Sequence, residues 1–183
     1  MSTQCSVYIA TSLDGFISRT DGSIDWLNKV NGAVPEGEDC GYAAFMSSVD
    51  VLVMGRNTFE QVLTFDHWPY EGRRVVVLTS RPLTVPTSLA STVVVSTESP
   101  RSLVKRLSSE GAKHLYVDGG RTIQGFLAAG LIDHLTITVI PVLLGSGRPL
   151  FGSLDRDRKL TLVSSKAYAF GFVQTTYRVQ TDE

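Results

Sequence analysis

Short apolar runs alternate with segments whose apolar residues recur at helical spacing, and this alternation persists through the first three quarters of the chain. Residues 4–10 form an apolar run that reads as a strand. It is followed by the turn-forming pair Asp14-Gly15, after which Phe16-Ile17-Ser18 resumes an extended course. A second turn, Asp21-Gly22-Ser23, leads to Ile24-Asp25-Trp26-Leu27, and residues 31–37 read as a loop. Between positions 39 and 48, Tyr42, Phe45 and Met46 share one helical stripe. Residues 49–54 form a nearly continuous apolar strand ending in Gly55-Arg56-Asn57-Thr58, and Phe59, Val62 and Leu63 mark a helix behind it.

Residues 74–78 and 92–96 are β-branched runs that predict two more strands. Ser99-Pro100 opens a helix with a capping hydroxyl and a residue whose missing N–H is not needed there; Leu103, Val104 and Leu107 form its buried stripe, and Gly111 ends it. A strand at 114–117 closes on Asp118-Gly119-Gly120, and a helix with Ile123, Phe126 and Leu127 on one face stops at Gly130. Residues 135–144 read as a long strand whose pairing Pro141 limits. Residues 160–167 and 172–179 read as an antiparallel hairpin. Strand–helix alternation requires parallel crossovers, and the tail adds antiparallel strands. The predicted fold is therefore α/β, one domain over 1–183, with a mixed, mainly parallel sheet covered by helices on both faces.

Composition narrows the function. The 183 residues carry 17 Lys+Arg against 18 Asp+Glu, a balance that excludes a protein whose main work is coating polyanions such as nucleic acid. The two cysteines, Cys5 and Cys40, have no paired spacing, and His67, His114 and His134 have no metal-ligand spacing, so no metal site is expected. No apolar run approaches the roughly 18 residues that cross a bilayer, and no signal sequence opens the chain, so the reading is a cytoplasmic protein.

Three strand ends attract chemical interest: Gly55-Arg56-Asn57-Thr58, Thr79-Ser80-Arg81 and Gly119-Gly120-Arg121-Thr122. In an open α/β sheet, ligands bind beyond the carboxyl ends of the parallel strands, where helix N-termini present backbone donors to anions. The glycines would admit a phosphate to the backbone, the threonines would add hydroxyl donors, and Arg56, Arg81 and Arg121 would add charge. Neither a Gly-x-Gly-x-x-Gly fingerprint after the first strand nor a Walker loop is present, and Gly145-Ser146-Gly147 reads as a flexible surface loop. Among acid candidates, Asp39 stands at a helix start, where a carboxylate can serve catalysis or the helix dipole.

Taken in order, Ser12-Leu13-Asp14-Gly15-Phe16-Ile17, Asp25-Trp26-Leu27, Val53-Met54-Gly55-Arg56-Asn57-Thr58-Phe59-Glu60, Asp118-Gly119-Gly120 and Pro141-Val142-Leu143-Leu144-Gly145-Ser146-Gly147 resemble the dihydrofolate reductase superfamily. The pattern is most similar to the branch holding the reductase domain of bacterial riboflavin-biosynthesis proteins and small stand-alone relatives. The resemblance implies about eight strands in a dihydrofolate reductase-like fold and NADPH as hydride donor. It places Ala10 and Ile17 beside the nicotinamide, Gly55 to Thr58 at the phosphates, Thr79, Ser80 and Arg81 at the adenosine 2′-phosphate, and Gly119 to Thr122 at the pyrophosphate. Leu13, Trp26 and Phe45 become walls for a small-molecule substrate, Asp39 the proton donor, and a homodimer the expected assembly. The folate-type pattern around Trp26 is not reproduced, which weighs against folate, and the implied acceptor is a small heterocycle of pterin or pyrimidine type or a carbonyl compound. The rival reading is a dinucleotide-binding or regulatory protein without turnover.

Overall fold

The structure, a computed structural model, describes residues 3–180. Its strands are β1 (Gln4–Ser12), β2 (Phe16–Ser18), β3 (Val51–Gly55), β4 (Arg74–Leu78), β5 (Val93–Ser96), β6 (His114–Asp118), β7 (His134–Ile140), β8 (Arg148–Pro149), β9 (Leu160–Ala167) and β10 (Val173–Val179). Its α-helices are α1 (Asp25–Asn31), α2 (Tyr42–Ser47), α3 (Arg56–Val62), α4 (Pro100–Ser109) and α5 (Gly120–Ala128). Eight strands join in the order β5-β4-β3-β6-β1-β7-β10-β9. The first six run parallel, while β10 is antiparallel to both β7 and β9. This is the mixed, mainly parallel sheet with a C-terminal hairpin that the sequence pattern predicts.

Strand alternation divides the core between the two faces of the sheet. Cys5, Val7, Val51, Val53, Leu115 and Val117 point toward α4 and α5, where Leu103, Leu107, Ile123 and Phe126 meet them. Their neighbours Leu52, Met54 and Tyr116 point the other way and pack with Phe59 and Val62 of α3 and Met46 of α2. A third cluster on that second face joins Trp26 of α1 to Ile140, Tyr168 and Phe172. Fully buried branched side chains contribute about 1.5–3 kcal/mol each by leaving water, which makes the central strands the main source of stability.

Several local rules hold as read. Ser99 Oγ accepts the Ser102 N–H, and Pro100 occupies the first turn of α4. β7 stops at Ile140 because Pro141, next in line, has no N–H to extend the ladder. Helix α1 and strand β8 are additions. The stretch 145–149, read as a flexible loop, is pinned: β8 pairs with β2, Asp14 accepts the N–H groups of Leu144 and Gly145 at 3.1 and 2.7 Å, and Gly147 packs on Phe16. No helix among the described residues is long and apolar enough to cross a membrane.

Candidate active site

The strand order places the carboxyl ends of β4, β3, β6 and β1 side by side along one edge of the sheet. The turns after β3 and β6 interlock. A Cβ on Gly55 would stand 2.9 Å from Thr122 Oγ1, and a Cβ on Gly119 would overlap Thr58 Oγ1, so each turn's threonine fills the space its partner's glycine leaves. Gly119 also needs its φ of +89°. These glycines therefore serve the contact between the two turns.

That contact brings the N-termini of α3 and α5 together. Their N-cap residues, Gly55 and Gly119, supply no side-chain acceptor. The first-turn N–H groups of both helices are therefore left without a side-chain cap from the N-cap residue. Exposed Asn57 and Arg121 stand on these first turns, and Arg121 has no ionic or hydrogen-bonding partner among the described residues. Arg56 instead pairs with Glu60 at 2.7 Å and donates to the Pro82 carbonyl. At the end of β4, Thr79 Oγ1 accepts the Arg81 N–H at 3.1 Å, shaping a turn that leaves Ser80 and Arg81 exposed.

Ala10 lies on β1 beside the third core cluster, and Ile17 of β2 covers the β6 turn, its Cδ1 being 2.9 Å from where a Cβ on Gly120 would stand. Both thus sit at the same sheet edge as the helix N-termini. Leu13, at the tip of the β1–β2 turn, is 63% exposed and forms a lip, not a wall. Phe45 stacks on Tyr8 (ring centroids 4.7 Å apart) and meets Tyr116 edge-on, so it belongs to an aromatic cluster on the second face. Trp26 is 3% exposed in the core; the expectation that it walls a substrate cavity is corrected, because α1 folds it inward over Ile140.

Asp39 takes the capping alternative. Its two oxygens accept the N–H groups of Gly41 and Ala43, both at 2.8 Å, in an exposed position, and these backbone donors, that of Ala43 first, lower its pKa. A second acid, Asp118, ends β6 at this sheet edge. Burial raises its pKa to about 6, against the opposing hydrogen bond that Oδ1 accepts from the Gly119 N–H at 2.8 Å. No other hydrogen bond engages the carboxylate among the described residues, leaving Oδ2 available. Its surroundings are phenols: burial, and then the Asp118 charge, raise the pKa values of Tyr42, Tyr70 and Tyr116. In the sequence Asp118 is marked only as an acid ending an otherwise apolar strand, next to two glycines that mark a turn.

The arrangement combines two adjacent helix N-termini without side-chain caps with a desolvated carboxylate whose pKa is raised toward neutrality. The chain is 37% identical over 170 residues to the uncharacterized protein YwjB of Bacillus subtilis, covering 92% of this chain and 94% of that protein. Its fold superposes on the crystal structure of a putative riboflavin biosynthesis protein from Shewanella sp. PV-4 with a TM-score of 0.91 at 40% identity, covering 98% and 100% of the two chains. The fold also matches, at 15% identity and a TM-score of 0.73, a diaminohydroxyphosphoribosylaminopyrimidine deaminase/5-amino-6-(5-phosphoribosylamino)uracil reductase from Thermotoga maritima, covering 98% of this chain and 57% of that one. Residues 5–174 match the model of the RibD C-terminal domain, and the chain belongs to that family, with its dihydrofolate reductase-like fold.

Proposed function

We propose that this protein is an NADPH-dependent reductase that transfers a hydride to a small heterocyclic or carbonyl acceptor. The observation that carries the reading is the pair of uncapped helix N-termini, α3 and α5, held side by side by the Gly55–Thr122 and Gly119–Thr58 contacts. Two adjacent sets of free backbone donors suit a pyrophosphate, and Arg121 adds charge beside them. Arg81, exposed at the end of β4, would meet a 2′-phosphate with its two-pronged donor edge. Ala10 and Ile17 would then border the nicotinamide.

When bound, the dinucleotide supplies the hydride. The chain's own residues hold the acceptor in contact range, exclude water and move a proton. Tyr8 and Phe45, stacked on each other and half-buried, would present aromatic surface on the acceptor side. Asp118 keeps a proton to about pH 6 and can deliver it from Oδ2 to the atom that gains charge as the acceptor is reduced. This assigns the acid role to Asp118 and leaves Asp39 as the cap of α2.

The rival, a dinucleotide-binding protein without turnover, draws on the engagement of Asp39 by backbone N–H groups. Asp118 favours the reductase. The test is titration with NADPH and NADH by nicotinamide fluorescence, followed by a screen of pterins, aminopyrimidines and simple carbonyls for oxidation of the bound cofactor. Binding with oxidation supports the reductase, binding without oxidation supports the rival, and no binding of either dinucleotide refutes both.

A further inference from the structure

The turn that leads into α2 is held from two strands at once, β1 and β10. Cys40 has a φ of +55°, which no other non-glycine residue among those described shares in sign, and Gly41 follows at +85°. Two successive left-handed residues, the first carrying a side chain, persist only where the surroundings fix them. Glu38 and Asp39 accept the N–H groups of Cys40 and Gly41 at 2.7 and 2.8 Å from within the turn, and the Cys40 carbonyl ties it to the sheet. That carbonyl accepts the hydroxyl of Tyr8 from β1 and the amide of Gln174 from β10 at 3.0 Å. The same Gln174 nitrogen lies 3.0 Å from Tyr8 Oη and 2.9 Å from Thr138 Oγ1 of β7. Tyr8 is also tied to the carboxylate's own strand, since its carbonyl accepts the Tyr116 hydroxyl at 2.9 Å.

The residue after Gly41 is Tyr42, the first of α2, whose ring meets that of Tyr8 edge-on at 5.8 Å. We propose that Tyr8 and Gln174 are positioning residues for the acceptor side of the cleft: by holding the Cys40 carbonyl they set Tyr42 beside Asp118. This rests on the reductase reading for its consequence in turnover but not for the clamp itself. Neither residue touches the helix N-termini at the cofactor edge. The clamp also makes the C-terminal hairpin part of the site, because Gln174 reaches it from β10. Tyr42 lies near enough to Asp118 for the carboxylate charge to raise its pKa, as it does those of Tyr70 and Tyr116, and burial is the principal reason that the Asp118 carboxyl titrates high.

The test compares wild type with Tyr8→Phe, which removes one hydroxyl and keeps the ring, and Gln174→Leu, which removes the amide. Each variant is expected to lower kcat/KM for the acceptor by about tenfold or more while NADPH affinity stays within about twofold. The double variant is expected to be no worse than Gln174→Leu alone, since both residues act on one carbonyl. Independently of any acceptor, NMR titration of the Asp118 carboxyl should show its midpoint falling from about 6 toward the ordinary carboxylate range in both variants. Unchanged kcat/KM together with an unchanged midpoint would overturn the proposal, as would equal losses of acceptor turnover, cofactor affinity and melting temperature. Should Gln174→Leu fail to fold, Tyr8→Phe decides. Should the wild type oxidise NADPH with no acceptor, the reductase reading falls, and the carboxyl titration alone decides the clamp.

Discussion

Thr58 Oγ1 occupies the space into which a Cβ on Gly119 would project, and Gly119 itself has a φ of +89°. One methyl group therefore has two consequences, a strained backbone and a collision with the neighbouring turn. Gly119→Ala is expected to destabilise the protein by about 1–3 kcal/mol and to separate the N-termini of α3 and α5. Thermal unfolding and NADPH titration together check this, with loss of affinity expected even well below the melting temperature. Gly120→Ala is the control: its Cβ meets only the flexible end of Ile17 within 3 Å, so the fold should tolerate it better while the nicotinamide end of the cleft shifts.

Arg81 is exposed, its side chain is unpaired among the described residues, and the Thr79 hydroxyl shapes its turn. A charge-assisted, two-pronged contact to a 2′-phosphate is worth about 1.5–3 kcal/mol. Arg81→Gln should therefore weaken NADPH by roughly 10- to 100-fold and leave NADH almost unchanged. Equal loss for both dinucleotides in a fluorescence titration would remove Arg81 from the 2′-phosphate. Arg56, already paired with Glu60, should discriminate much less.

The sheet was legible wherever local pattern and tertiary environment agree. β4 and β9 coincide with the predicted runs, because strands buried on both faces or paired in a hairpin state their nature residue by residue. Helix α1 carries one fully buried residue, Trp26, and no side-chain N-cap, so its periodicity is too weak to read locally. β8 is two residues long and exists through its pairing with β2. The site divides in the same way. The edge where ligands bind follows from strand direction, but the Gly55–Thr122 contact joins segments far apart in sequence. Asp39 and Asp118 exchange roles because only the folded chain shows which carboxylate the backbone donors occupy and which one burial raises.

Strand β9 closes one edge of the sheet, and Leu160, Leu162 and Val163 on it, with Val173 of β10, are exposed. The register shift at Thr176/Tyr177 leaves Val163 opposite no partner. An apolar edge with free backbone groups invites pairing with another chain. Light scattering is expected to give twice the 19.9 kDa of one chain, and Leu162→Lys is expected to shift the mass toward that of a single chain. A wild type of single-chain mass at working concentration would refute the dimer.

Asp118 has a pKa of about 6 in the folded protein against an ordinary 3.8, so between these values the folded state holds a proton that the unfolded state has released. Stability from this group is therefore fully present below about pH 4, falls as pH rises through about 6, and is absent above it. The shift corresponds to at most about 3 kcal/mol at neutral pH. Asp118→Asn should remove this pH dependence and, at pH 8, make the protein more stable than wild type by up to that amount, as chemical denaturation at pH 5 and pH 8 would show. Turnover should move the opposite way. Wild-type acceptor reduction is expected to decline above about pH 6 as the proton is lost, and Asp118→Asn to lower it by about 10²- to 10⁴-fold with NADPH affinity retained. Asp39→Ala gives the contrast, lowering the melting temperature slightly through the loss of its bonds to the Gly41 and Ala43 N–H groups while leaving turnover within about twofold. A variant that is stabilised at pH 8 yet inactive would show that the energy spent on burying this carboxylate serves the reaction and not the fold.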